Sequence, residues 1–153
     1  MKLGISVFGL GYVGCVSSAC FAREGFHVTG VDVSTAKVDL INAGQSTIVE
    51  EGIAELVREM RDSGRLNATT SAAEAVLASD VSLICVGTPS RPNGSIDLQY
   101  IDRVCEQIGM ALRDKTTHHT VVIRSTVMPG TIDDVVIPAL ERGSGKARRR
   151  RSG

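Results

Sequence analysis

A glycine spacing constrains what this chain can fold into more than any other feature. The apolar run Ile5-Ser6-Val7-Phe8 ends in Gly9-Leu10-Gly11-Tyr12-Val13-Gly14, and the helix-compatible segment Cys15 to Ala22 follows. A strand that stops in G-x-G-x-x-G and opens a helix is built to hold a pyrophosphate. Gly9 permits the tight turn off the strand, Gly11 lets a phosphate approach bare backbone, and Gly14 lets the helix pack close to the sheet. Tyr12 and Val13 then offer free N–H groups at the positive end of the helix dipole.

The chain has sixteen glycines, so the spacing needs its context. A second apolar run, His27-Val28-Thr29-Gly30-Val31, ends in Asp32, about 20 residues past the first glycine, as in dinucleotide-binding units. An acidic residue there accepts hydrogen bonds from a ribose 2′-hydroxyl and repels a 2′-phosphate, which favours NAD over NADP. The plainer alternative is that Asp32 only caps the next helix.

Hydrophobic residues make up 42% of the 153, with 3% aromatic and no Trp, so the core is aliphatic and the length suits one domain. No apolar run approaches the roughly 20 residues of a membrane span, and Met1-Lys2-Leu3 leads straight into a strand. The expected compartment is the cytoplasm. Cys15, Cys20, Cys85 and Cys105 lie in apolar patterns without C-x-x-C spacing and read as core residues. With His27, His118 and His119 they form no ligand spacing, so no metal is expected. Net charge is zero, yet residues 1–145 hold twelve basic against seventeen acidic groups, while Lys146 and Arg148 to Arg151 crowd the C-terminus. A short basic run beside an acidic body is a poor electrostatic footprint for nucleic acid.

The pattern alternates strand and helix. Helices are expected over 12–24, 34–43 and 52–63, with Ser34 as an N-cap and Gly44 as a stop. A short strand covers 66–70, Ser71 and Glu74 begin a capped helix, and Val81 to Val86 reads as a buried parallel strand. The turn-rich loop 87–95 precedes a helix over 97–113, with Leu98, Ile101, Cys105, Ile108 and Leu112 on one face. A strand over 120–124, the loop Ser125 to Gly130 and a helix over 131–142 complete the pattern. The expected fold is α/β, a Rossmann-like doubly wound parallel sheet, truncated before its last strand. Residues 1–142 would form the NAD-binding domain and 143–153 a Gly/Arg-rich disordered tail. An open parallel edge of this kind favours association. Ligands in such sheets sit beyond the carboxyl ends of the strands, which brings residues 9–14, 87–90 and 125–130 to one site.

These residues carry a resemblance. Phe8 to Gly14, Gly30-Val31-Asp32-Val33 with Lys37, Ile84 to Ser90 followed by Asn93-Gly94 and Asp97-Leu98, and Arg124 to Thr131 resemble the N-terminal domain of the UDP-glucose/GDP-mannose dehydrogenase family. Arg124 before Ser125-Thr126-Val127, Pro129-Gly130-Thr131 and Thr88-Pro89-Ser90 favour its GDP-mannose 6-dehydrogenase branch over the UDP-glucose branch. The resemblance implies an enzyme that oxidises the C6 alcohol of a nucleotide-linked sugar, GDP-mannose to GDP-mannuronate, in two NAD-dependent steps, and that assembles as a homo-oligomer at full length.

By the same resemblance Gly9, Gly11, Tyr12, Val13 and Gly14 hold the pyrophosphate, Asp32 the adenosine ribose with Lys37 near it, and Thr88 contacts the cofactor. Thr126 lies nearest the nicotinamide and positions a catalytic water. From the residues alone, Lys37 reads first as a solvated lysine, Thr88 also fits an ordinary turn hydroxyl, and Thr126 is equally a hydroxyl capping the 129–142 region. Where the family shows P-I-x-E-P-G, this chain reads Thr47-Ile48-Val49-Glu50-Glu51-Gly52, keeping Glu50 without the prolines, which loosens the turn. The family's catalytic cysteine lies in a Gly-Gly-Ser-Cys-Leu-Pro-Lys-Asp motif that is not in this sequence, and none of the four cysteines matches it. The chain alone is then expected to be inactive. Two other readings stay open: a UDP-glucose 6-dehydrogenase fragment, and a stand-alone NAD-binding or regulatory module.

Overall fold

Successive side chains of a strand point to opposite faces, so each apolar strand here must be covered on both sides. A computed structural model, which describes residues 2–147, shows how. Five parallel strands, β1 (Gly4–Phe8), β2 (His27–Val31), β3 (Leu66–Thr69), β4 (Val81–Ile84) and β5 (Thr120–Ile123), form one sheet in the order β3-β2-β1-β4-β5. Parallel neighbours cannot be joined by a hairpin, and helices fill the crossovers. These are α1 (Tyr12–Arg23), α2 (Thr35–Asn42), α3 (Ile53–Asp62), α4 (Ala72–Leu77) and α5 (Gln99–Leu112). After β5 a π-helical turn, Ile132–Val136, leads into α6 (Ile137–Ser144).

The pleat sorts the core in two. Ile5 and Val7 of β1 and Leu83 of β4 pack with Cys15 and Ala19 of α1, Ile41 of α2 and Val57 and Met60 of α3. Phe8 and Ile84 face the other way, toward Val76 of α4, Ile101, Cys105 and Ile108 of α5 and Ala139 of α6. The chain winds outward from β1 in both directions, so the order reverses at the gap between the carboxyl ends of β1 and β4. That gap is where ligands bind in open α/β sheets.

Several details depart from the expected pattern. Ser71 does accept the Glu74 N–H, but the Glu74 carboxylate takes the Thr69 hydroxyl instead of closing the capping box. Helix α5 begins at Gln99, two residues later than expected, where the Asp97 carboxylate accepts the Gln99 N–H at 3.0 Å. The expected α-helix over 131–142 opens as a π turn because Pro138 lacks an N–H and its ring crowds the carbonyl four residues back. Its end is also later: α6 continues through Ser144, and Gly143 is buried, so these two residues are helix instead of disordered tail. The four consecutive arginines of the tail lie outside the described residues.

Candidate cofactor site

The three glycines of the first loop do three different things. Gly9 turns the chain at φ +98, where a Cβ would stand 3.0 Å from the Cys85 carbonyl. A Cβ on Gly14 would lie 1.6 Å from the Gly9 oxygen, so α1 can lie against the loop only without one. A Cβ on Gly11, by contrast, would meet nothing within 4 Å. The fold does not require glycine there; the space is open. Helix α1 starts at Tyr12 with no side-chain cap and no acidic residue in its first turn, whereas α2 and α4 carry serine caps from Ser34 and Ser71. Its first N–H groups and dipole end are thus left for an anion from outside the chain.

Asp32, at the carboxyl end of β2, accepts the Leu10 N–H at 2.8 Å on one oxygen and the Ser34 N–H at 2.9 Å on the other. The cap of α2 is Ser34, whose hydroxyl accepts the Lys37 N–H at 3.3 Å, so Asp32 joins two loops rather than capping a helix. Each carboxylate oxygen retains a lone pair for a further donor. Asp32, Lys37, Gly9, Gly11, Thr88 and Tyr100 line one cleft of about 600 Å³. Lys37, readable from sequence as a solvated lysine, is a wall of that cleft.

The far wall joins the ends of β4 and β5. The Thr88 hydroxyl donates to the Thr126 carbonyl at 2.8 Å, and the Ser125 hydroxyl donates to the Val86 carbonyl at 2.6 Å. Thr126 itself is exposed and is not among the residues that line the cleft; it meets the cleft wall only through its carbonyl's bond to Thr88. Cys85 also lines the cleft, but burial pushes its thiol up to about 11, against the lowering field of Arg124. It therefore stays protonated and is a poor nucleophile. All four cysteines are free.

A second pocket, about 210 Å³ and mostly apolar, continues from the first past Gly9 and Asp32. It is lined by Val31, Val33, Thr70, Tyr100, Arg103 and Gln107 among others, and reading the sequence missed it. The signal was present: residues 100, 103, 104 and 107 form a helical stripe on α5 beside the core stripe of Ile101, Cys105 and Ile108. Its mixed polarity hid it from a search for apolar periodicity.

Comparison with known proteins agrees with this geometry. Residues 3–151 match the model of the UDP-glucose/GDP-mannose dehydrogenase family, NAD binding domain. The chain is 58% identical over 142 residues to GDP-mannose 6-dehydrogenase of Azotobacter vinelandii, covering 93% of this chain and 33% of that protein. A crystal structure of a ternary complex of GDP-mannose dehydrogenase from Pseudomonas aeruginosa superimposes with a TM-score of 0.92 at 57% identity, over 94% of this chain and 33% of the other. A UDP-glucose dehydrogenase from the archaeon Pyrobaculum islandicum also reaches 0.92, at 40% identity, over 97% and 34% of the two chains. The chain thus spans about a third of the length of these relatives. An uncapped helix behind an open glycine, an acidic residue ending β2 and a match across nearly the whole chain lead to one conclusion: the chain belongs to the UDP-glucose/GDP-mannose dehydrogenase family, as its NAD-binding domain.

Proposed function

We propose that this chain is the cofactor-holding part of a nucleotide-sugar 6-dehydrogenase that converts GDP-mannose to GDP-mannuronate in two NAD-dependent steps. The observation that carries the reading is the open space at Gly11 in front of the uncapped start of α1, with Asp32 on one side and the Thr88–Thr126 link on the other. The N–H groups of Gly11, Tyr12 and Val13 hold the pyrophosphate, with Gly9 and Gly14 shaping the loop. Asp32 accepts the adenosine ribose hydroxyls, and Lys37 stands beside it. The pocket between Val33, Thr70, Tyr100 and Arg103 receives the adenine. Thr88 lies along the nicotinamide half, and Thr126 orients a water at its end. When bound, NAD supplies the hydride acceptor. GDP-mannose is favoured over UDP-glucose by the higher identity to the GDP-mannose enzymes, 58% against 42% and 44% for two UDP-glucose 6-dehydrogenases.

A fluorescence titration of the full 153-residue chain with NADH and with NADPH tests the reading. Saturable NADH binding, with NADPH at least tenfold weaker, is expected, because the Asp32 carboxylate opposes a 2′-phosphate. Asp32→Ala should narrow that gap while weakening NADH, since the Leu10 N–H loses its acceptor. Equal affinity for the two cofactors in the parent chain would defeat the assignment. No steady NADH production from NAD and GDP-mannose is expected of this chain alone, since none of its four cysteines lies in the motif that carries the family's catalytic cysteine.

A further inference from the structure

The segment between α2 and α3 is fastened across the glycine loop at three points. Ile48 is partly buried against the core beneath α1. The Thr47 hydroxyl donates to the Leu10 carbonyl at 2.7 Å. The Tyr12 phenol donates to the Glu50 carboxylate at 3.0 Å. Leu10 thereby has both its backbone polar groups held by side chains, its N–H by Asp32 and its carbonyl by Thr47, while its own side chain is fully buried. The Ser46 hydroxyl pins the strap internally, donating to the Ile48 carbonyl and accepting the Ile48 N–H.

We propose that Thr47 and Glu50 are positioning residues for the dinucleotide: residues 45–52 form a strap that holds Leu10 and the first turn of α1 in the form that receives the pyrophosphate. The proposal rests on the reading of the cleft as an NAD site. Its physical basis is preorganisation. A loop already fixed in its binding form gives up little entropy when the ligand arrives, and a loop tied at Leu10 leaves the neighbouring Gly11 and Tyr12 N–H groups free. Glu50 works through its acceptor oxygen, not its charge, because a carboxylate near the pyrophosphate repels it. Its hydrogen bond, and then its negative charge, also raise the Tyr12 phenol above its ordinary range.

The test uses the full chain and NADH fluorescence titration. Thr47→Val should weaken NADH about fivefold and Thr47→Ser should restore it. Glu50→Ala should weaken it about threefold, whereas Glu50→Gln, which keeps an acceptor and drops the charge, should bind as well as the parent or better. Tyr12 and Tyr100 are the only tyrosines and Trp is absent, so in a Tyr100→Phe background the phenolate absorbance reports Tyr12 alone, without cofactor. Glu50→Ala should shift that titration downward. Parent-like NADH affinity in both Thr47→Val and Glu50→Ala, or a Tyr12 titration unmoved by Glu50→Ala, would overturn the strap while leaving the cofactor site standing. A parent chain that binds no NADH would instead bring down the site and the strap together.

Discussion

Gly11 and Gly14 are three residues apart and need glycine for unlike reasons, which makes them separable by experiment. At Gly11 the backbone is extended, φ −76 and ψ −158, a conformation any residue adopts, and an added methyl meets nothing. Gly11→Ala should therefore leave the urea midpoint unchanged or slightly raised, because alanine restricts the unfolded chain. It should weaken NADH tenfold or more, because the methyl occupies the place of a phosphate oxygen. At Gly14 the methyl would lie 1.6 Å from the Gly9 oxygen, and the backbone must yield. Gly14→Ala should cost about 3 kcal/mol in urea unfolding and lose binding with it. If Gly11→Ala unfolds as readily as Gly14→Ala, the open space at Gly11 is a structural need and not a ligand's place. The sequence spacing already separated these roles, since each follows from what a Cβ would strike. It could not show that Asp32 and Thr47 both hold Leu10, because those contacts span 22 and 37 residues.

Helices α5 and α6 show a different limit. They approach so closely that a Cβ on Gly143 would stand 2.3 Å from the Glu106 carbonyl, and one on Gly109 2.6 Å from the Leu140 carbonyl. The crossing is locked at its ends: Arg142 reaches Asp102 at 3.1 Å and Glu106 at 3.2 Å, and the Lys146 ammonium donates to the Leu112 and Lys115 carbonyls at the C-terminus of α5. Gly143→Ala and Gly109→Ala should each destabilise by about 1–3 kcal/mol, and less than additively together because one contact is shared. Arg142→Ala, which removes an exposed pair, should cost less than either glycine change. Thermal unfolding orders the three, and an Arg142→Ala effect larger than Gly143→Ala would contradict the packing account. Strands and helices were legible because a short apolar run and an apolar period of 3.6 are local properties. The Gly143-Ser144-Gly145 run reads locally as a linker, yet Gly143 and Ser144 are helix, with Gly145 as the left-handed cap, because α5 offers a groove that a side chain would block. The π turn escaped for the same reason, one residue, Pro138, altering a turn whose periodicity stayed helical.

At the scale of the whole molecule, the end of the sheet opposite the cofactor cleft is held by buried serines and two partly buried side chains, Lys115 and His119, that join β1, α4, β4 and the approach to β5. The Lys115 ammonium spends its three protons on the Val76 carbonyl at 2.8 Å, the Ser79 carbonyl and His119 Nδ1 at 3.0 Å. Because Lys115 only donates, Nδ1 is the acceptor and Nε2 carries the proton, which it gives to the Ser82 hydroxyl at 2.8 Å. Ser82 and Ser6 are 2.7 Å apart, and Ser79 donates to Ser6 at 3.0 Å. Protonating His119 would turn an acceptor into a second cation facing Lys115. Burial first, then the Lys115 charge, against weaker help from the Ser79 backbone and Asp80 and with a last small push from His118, hold the imidazole down at about 4. The unfolded chain binds this proton near pH 6.5, so above that the network contributes in full. As pH falls from 6.5 toward 4 the unfolded state takes up the proton first and stability drops. With the ring partly exposed, the loss attributable to His119 should be about 1–2 kcal/mol. Carboxylates titrate in the lower part of the same range, so the decisive quantity is a difference: the urea stability of the parent chain minus that of His119→Gln, whose amide can take the Lys115 bond at any pH. That difference should shrink by the same 1–2 kcal/mol between pH 7 and 4.5. Parallel stability curves for the two chains would mean that His119 is already free to protonate in the folded protein, and that the lower end of the sheet is held by its serines and Lys115 without it.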